Sequence, residues 1–170
     1  MPSRLLPDAS GTRTNWAGNY RYGAQQVVFP STVPELQDLV GSTRHVRALG
    51  SGHTFTALPD TVGDLVSLTH LPVEIEVDTA RRTVRVGGGV LYEQLGRELH
   101  QQGWALANTA SLPHISVAGA VATGTHGSGL ALMSLAAAVR GVELVGPDGS
   151  VRWVTRGDPD FDGSVVSLGS

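Results

Sequence analysis

The 170-residue sequence contains no cysteine. Disulfides, thiolate metal ligands and cysteine nucleophiles are therefore excluded together, while the redox compartment stays open. Aromatic residues are scarce at 5%, charged residues make up 16%, and the formal net charge is −3. No basic run occurs, so no nucleic-acid partner is expected. The opening residues, MPSRLLPDAS, lack the apolar core of a secretory leader. No apolar stretch approaches the length of about 18 residues that a membrane helix needs. A soluble cytoplasmic protein is the default reading. The six histidines (45, 53, 70, 100, 114 and 126) show no HxH or HxxxH spacing, so no metal site is expected. The Walker-type phosphate loop and the GxSxG nucleophile elbow are also absent.

What the chain does have is hydrophobic content of 41%, enough for a core, and 22 glycines that cluster. GSG stands at 50–52, GGG at 87–89 and GTHGSG at 124–129. Glycines grouped inside well-patterned segments mark backbone that lies close to something else. At GSGHTF (50–55) two readings stay open: a tight structural turn, or a loop against a ligand.

The coarse organisation is readable. QVVFP (26–30) is a short strand. Ser31 or Thr32 caps a helix that begins near Pro34, with Leu36, Leu39 and Val40 as its apolar stripe. VRAL (46–49) and LVSL (65–68) are further strands. VEIEVD (73–78) and TVRV (83–86) alternate strictly and predict a hairpin with one wet face. Leu91, Leu95 and Leu99 predict a helix over 91–102 that Gly103 terminates. SVAGAVATG reads as a short helix of small residues, and VRGVELV (139–145) with SVRWVT (150–155) as a second hairpin across GPDG. An apolar, helix-like run begins in DFDGSVVSLGS. Hairpins outnumber regular crossovers, which favours an α+β fold over a doubly wound parallel sheet.

Three segments taken together, GSGHTF, VGGG and ASLPHISVAGAVATGTHGSG, resemble the flavin-binding domain of the vanillyl-alcohol oxidase superfamily. Within it the likeness is greatest to the alditol (xylitol) oxidases, with the aldonolactone oxidases next. The resemblance runs from NWAGN at Asn15 to the end of the chain. It implies an FAD-binding domain of the PCMH type over residues 1–170, built from two small α+β subdomains at about 20–70 and about 71–170. It also implies that His53 bonds to the 8α carbon of the isoalloxazine. Ala48, Leu49, Gly50, Ser51, Gly52, His53 and Thr54 would wrap the pyrophosphate and ring edge. Ser111, Ser116, Gly119, Thr123, Gly124, Thr125 and His126 would line the rest, with Ser111 near substrate as well. Thr54 replaces the serine usual in relatives and keeps the hydroxyl. A second, cysteinyl attachment is excluded by composition.

The implied reaction is FAD-dependent oxidation of a polyol, with dioxygen reduced to hydrogen peroxide. The alternatives are a gulono- or arabinono-1,4-lactone oxidase or dehydrogenase, or a non-catalytic flavin-binding fragment. The family's substrate domain, with its acid–base residues, is expected beyond the point where this sequence stops, leaving the second subdomain incomplete. No catalytic residue is therefore assigned within the chain.

Overall fold

Three short strands near the start of the chain pair in parallel. In the computed structural model, which describes residues 13–169, β1 (Gln26–Val28), β2 (Val46–Ala48) and β3 (Asp64–Val66) form a sheet ordered β1-β3-β2. The last strand in sequence is the middle one, and its Leu65 is fully buried between Val27 and Arg47 in the register. A parallel pair cannot be joined by a tight turn, so α1 (Val33–Ser42) carries the chain from β1 to β2. Thr32 is the cap: its hydroxyl accepts from the Glu35 amide at 3.3 Å, while the Glu35 carboxylate accepts from the Ser31 amide at 2.8 Å. This parallel sheet is the part of the architecture that the hairpin-dominated reading left out. The leader-free start read at residues 1–10 lies outside the described residues.

The two predicted hairpins are present. β4 (Ile75–Asp78) and β5 (Thr83–Val86) pair antiparallel, Ile75 opposite Val86 and Val77 opposite Val84. Those four side chains pack on Val90, Leu95 and Leu99, while Glu76 and Arg85 face water. Val73 stands outside the strand, 61% exposed. The predicted helix is α2 (Tyr92–Gln101), with Leu95 and Leu99 buried. Leu91 precedes it as the cap residue, its amide held by Gln94 Oε1 at 2.9 Å, and Gly103 follows at φ 77°.

α3 (Val117–Ala122) is the short small-residue helix, and it lies where three apolar clusters meet. Val117 packs with the β4–β5 cluster, Ala120 with Ile115 and Leu135, and Val121 with Ala136, Val154, Phe161 and Val165. β6 (Gly141–Val145) and β7 (Val151–Thr155) form the second hairpin, and α4 (Phe161–Val165) covers it. Arg85 ties the hairpins together through Glu143 at 2.9 Å and lies 5.3 Å over the Trp153 ring. Among the described residues, no helix is long and apolar enough to cross a membrane.

Candidate functional site

The turn after β2 is fastened at both edges. Ala48 ends the strand exposed. Leu49 donates its amide to the Val66 carbonyl at 2.8 Å and buries its side chain with Tyr22, Ala24 and Leu65, so its side chain serves the core. Gly50 abuts α3. A Cβ on Gly50 would lie 2.7 Å from Ser116 Oγ and 3.4 Å from the Gly119 Cα. A Cβ on Gly119 would lie 2.6 Å from the same oxygen and 3.5 Å from the Gly50 Cα. The two glycines thus let loop and helix touch backbone to backbone, with the Ser116 hydroxyl wedged beside them. Ser51 Oγ completes the joint by accepting from the Ser116 amide at 2.8 Å. Gly52 is needed for another reason, its left-handed φ of 69°.

Between these anchors the amides of Gly50, Ser51, Gly52 and His53 find no acceptor among the described residues. Successive unpartnered N–H groups on a bent backbone form a concave array of donors suited to an anion such as a phosphate.

The loop is held from its other side by NWAGN, where the sequence showed no periodicity. Asn15 is completely buried, and its amide nitrogen donates to the Thr54 carbonyl at 2.9 Å and to Asn19 Oδ1 at 2.7 Å. Its side-chain oxygen accepts from the Tyr20 amide at 3.1 Å, and Asn19 reaches the Phe55 carbonyl at 3.1 Å. The Trp16 amide donates to the Gly52 carbonyl at 2.8 Å. Residues 15–19 therefore act as a clasp on residues 52–55.

That clasp places an aromatic side chain against His53. The Trp16 and His53 rings stack at 4.7 Å with planes 26° apart, and His114 joins them 4.9 Å from His53 and 6.1 Å from Trp16. Burial, and then repulsion from a charge on His114, hold the His53 imidazole below its ordinary pKa. It is therefore neutral near pH 7, with a ring nitrogen lone pair available. The Nε2 of His114 is buried with no hydrogen-bond partner among the described residues.

Trp16, Ser51, His53 and His114 stand on the wall of a groove of about 2580 Å³, together with Gly87, Gly88, Gly89, Val117 and Ala118. Typical small-molecule pockets hold about 300–1,000 Å³, so the groove has room for an extended ligand. The glycine triplet earns its place by contact: a Cβ on Gly88 would lie 3.1 Å from Leu68 and 3.3 Å from Ala118, and one on Gly89 would collide with the Leu68 carbonyl.

Of the residues predicted from sequence, Gly50, Ser51, Gly52, His53, Thr54, Ser116 and Gly119 are brought together. Thr123, Gly124 and Thr125 lie at the opposite end of α3, where the Thr123 hydroxyl donates to the Gly119 carbonyl at 3.1 Å and the Thr125 amide to the Ala120 carbonyl at 3.0 Å. His126 is exposed, its Nδ1 2.9 Å from the Gly127 carbonyl oxygen. Ser111 is exposed on the loop before Ile115. Sequence reasoning missed Asn15, Trp16 and His114 as site residues, although NWAGN and ASLPHISVAG contain them.

The profile of the FAD binding domain family matches residues 24–155. An alditol oxidase from a Streptomyces species is 52% identical over 160 residues, covering 92% of this chain and 39% of that protein. An L-gulono-1,4-lactone dehydrogenase from Mycobacterium tuberculosis is 34% identical over 161 residues, covering 92% of this chain and 37% of that protein. The crystal structure of cholesterol oxidase from B. sterolicum shares the fold, with a TM-score of 0.79 at 22% identity over 93% of this chain and 34% of that one. The α+β expectation agrees with that likeness. The chain spans 39% and 37% of the length of the two curated relatives.

Proposed function

This chain belongs to the FAD-binding domain family, and on that premise we propose that it forms the cofactor-holding part of an alditol-oxidase-like flavoprotein. The observation that carries the reading is the fastened turn itself. It offers four amides without an acceptor among the described residues, beside a neutral, ring-stacked His53 on the wall of a large groove.

The residues present fit a flavin dinucleotide. The amides of residues 50–53 supply donors for the pyrophosphate. Gly50 and Gly119 keep the cradle free of side chains, and Ser51 and Ser116 hold its two walls together. His53 would be the attachment point: its neutral imidazole nitrogen would replace a hydrogen on the 8α carbon, the C–H and N–H protons leaving to solvent and the electron pair passing through the flavin ring to dioxygen. Ser111, exposed on the loop before Ile115, is the contact we assign to substrate as well as flavin. Thr123, Gly124, Thr125 and His126 are assigned to cofactor from the family resemblance. We also read about 20–70 and about 71–170 as two subdomains, since the parallel sheet lies wholly in the first and both hairpins in the second.

Bound FAD would supply the hydride acceptor for oxidation of the substrate carbon, with dioxygen as final electron acceptor and hydrogen peroxide as product. The substrate class we propose is a polyol, from the 52% identity to an alditol oxidase. An aldonolactone oxidase or dehydrogenase is the second reading, favoured by the 34% match to the lactone dehydrogenase.

The test is retention of flavin through denaturation. After incubation with FAD, the denatured chain should keep flavin fluorescence on a gel, and His53→Ala should lose it. Quantitative release of free FAD from the wild type by acid would overturn the covalent assignment.

A further inference from the structure

We propose that His114 is a positioning residue for His53, packing against its imidazole and holding it oriented for bonding to the flavin. The inference rests on the attachment reading above, and its geometry stands independently. The centroids of Trp16, His53 and His114 form a triangle whose widest corner is at His53, so His53 is held from two directions. Trp16 supplies an uncharged face. His114 supplies a second imidazole 4.9 Å away whose buried Nε2 has no partner among the described residues. Two imidazoles this close in a partly desolvated site resist carrying a proton each. Burial first, and then the neighbouring His114 imidazole, disfavour a proton on His53. His114 is itself placed by backbone: the Pro113 and Ile115 carbonyls on either side of it accept from the Glu93 and Tyr92 amides at 2.8 and 3.0 Å. The loop thus presents the ring from a fixed support.

The experiment compares wild type, His114→Phe and His114→Gln in the full chain. Phenylalanine keeps the ring packing and removes the titratable nitrogens, and glutamine keeps a polar side chain while removing the ring. Ring-proton NMR of His53 should show its titration midpoint rising in both variants. The covalently retained flavin, measured after denaturation across a pH series, should fall severalfold on the acidic side in both variants, and His114→Phe should recover the wild-type level at alkaline pH. An unshifted His53 midpoint in a folded His114→Phe variant overturns the role of His114. So does a loss of covalent flavin equal at every pH. Release of all flavin from denatured wild type, or covalent flavin retained by His53→Ala, overturns the attachment reading and this role with it.

Discussion

Gly50 and Gly52 stand two residues apart and are glycine for different reasons, one of contact and one of backbone conformation. Gly52 is required by its left-handed φ of 69°, so Gly52→Val strains the backbone by about 1–2 kcal/mol and lowers the stability of the flavin-free chain. Gly50 is required by contact, since a Cβ there would press on Ser116 Oγ at 2.7 Å. Gly50→Ala should therefore cost about 1–3 kcal/mol by overpacking and push the loop from α3, read as a lower denaturant midpoint with weaker FAD binding. Asn15 makes a sharper prediction. Replacing it with leucine leaves the Thr54 carbonyl and the Tyr20 amide without partners, at a cost of about 1–3 kcal/mol each where buried. The denaturation midpoint should fall, and flavin retention should fall with it. The His53 shift has its own pH signature. A group whose folded pKa is lowered binds more protons when unfolded, so the chain should lose stability as pH drops below about 6.5. His53→Ala should flatten that part of the profile.

Among the elements, legibility followed length and periodicity. The β4–β5 and β6–β7 hairpins were readable because alternation over several residues names both a strand and its buried face. The α2 stripe was readable from Leu95 and Leu99, but Leu91, one turn earlier in the same pattern, caps the helix from outside. The parallel sheet was not readable, since strands of three residues carry no pairing information and the β3 partners lie about 40 and 20 positions away. The site divides in the same way. Glycine clustering exposed the turn at 50–52, whereas the Asn15 clasp depends on a partner 39 residues away and left no periodic trace. Asp60 belongs with it. Burial alone would raise its carboxyl, but hydrogen bonds from the Gly23 amide, the Tyr20 hydroxyl and the Thr61 and Ala24 amides outweigh that and hold it below the usual range. This latch between the entry to β1 and the approach to β3 should hold above about pH 4 and loosen as acid protonates it. Asp60→Asn should remove that acid-side loss while lowering stability at neutral pH.

For the molecule as a whole, the described carboxylates with displaced pKa values are already engaged: Asp60 by the latch, Asp78 by Arg81, Asp148 by Ser150 and Asp158 by Thr155. All four are held low, which suits acceptors of hydrogen bonds and not a base that must take a hydroxyl proton near neutral pH. We therefore expect the 170-residue chain, loaded with FAD, to release hydrogen peroxide from xylitol, sorbitol or an aldonolactone far more slowly than about 1 s⁻¹. Turnover at that level or above would place the base within these residues.

The clasp at residues 15–19 also bears on where this domain begins. The family match starts at residue 24 and stops at 155. A chain cut to those limits would discard Asn15, which fixes the Thr54 carbonyl, and Trp16, which lies on His53. At the far end it would discard Phe161 and Val165, which fill the space beneath the second hairpin. Such a trimmed version would keep every glycine of the cradle and the Ser51–Ser116 joint, but would lose the Asn15 and Trp16 contacts that hold residues 52–55 from the other side. We expect a chain cut to those limits to retain less flavin than the 170-residue chain, measured side by side after denaturation.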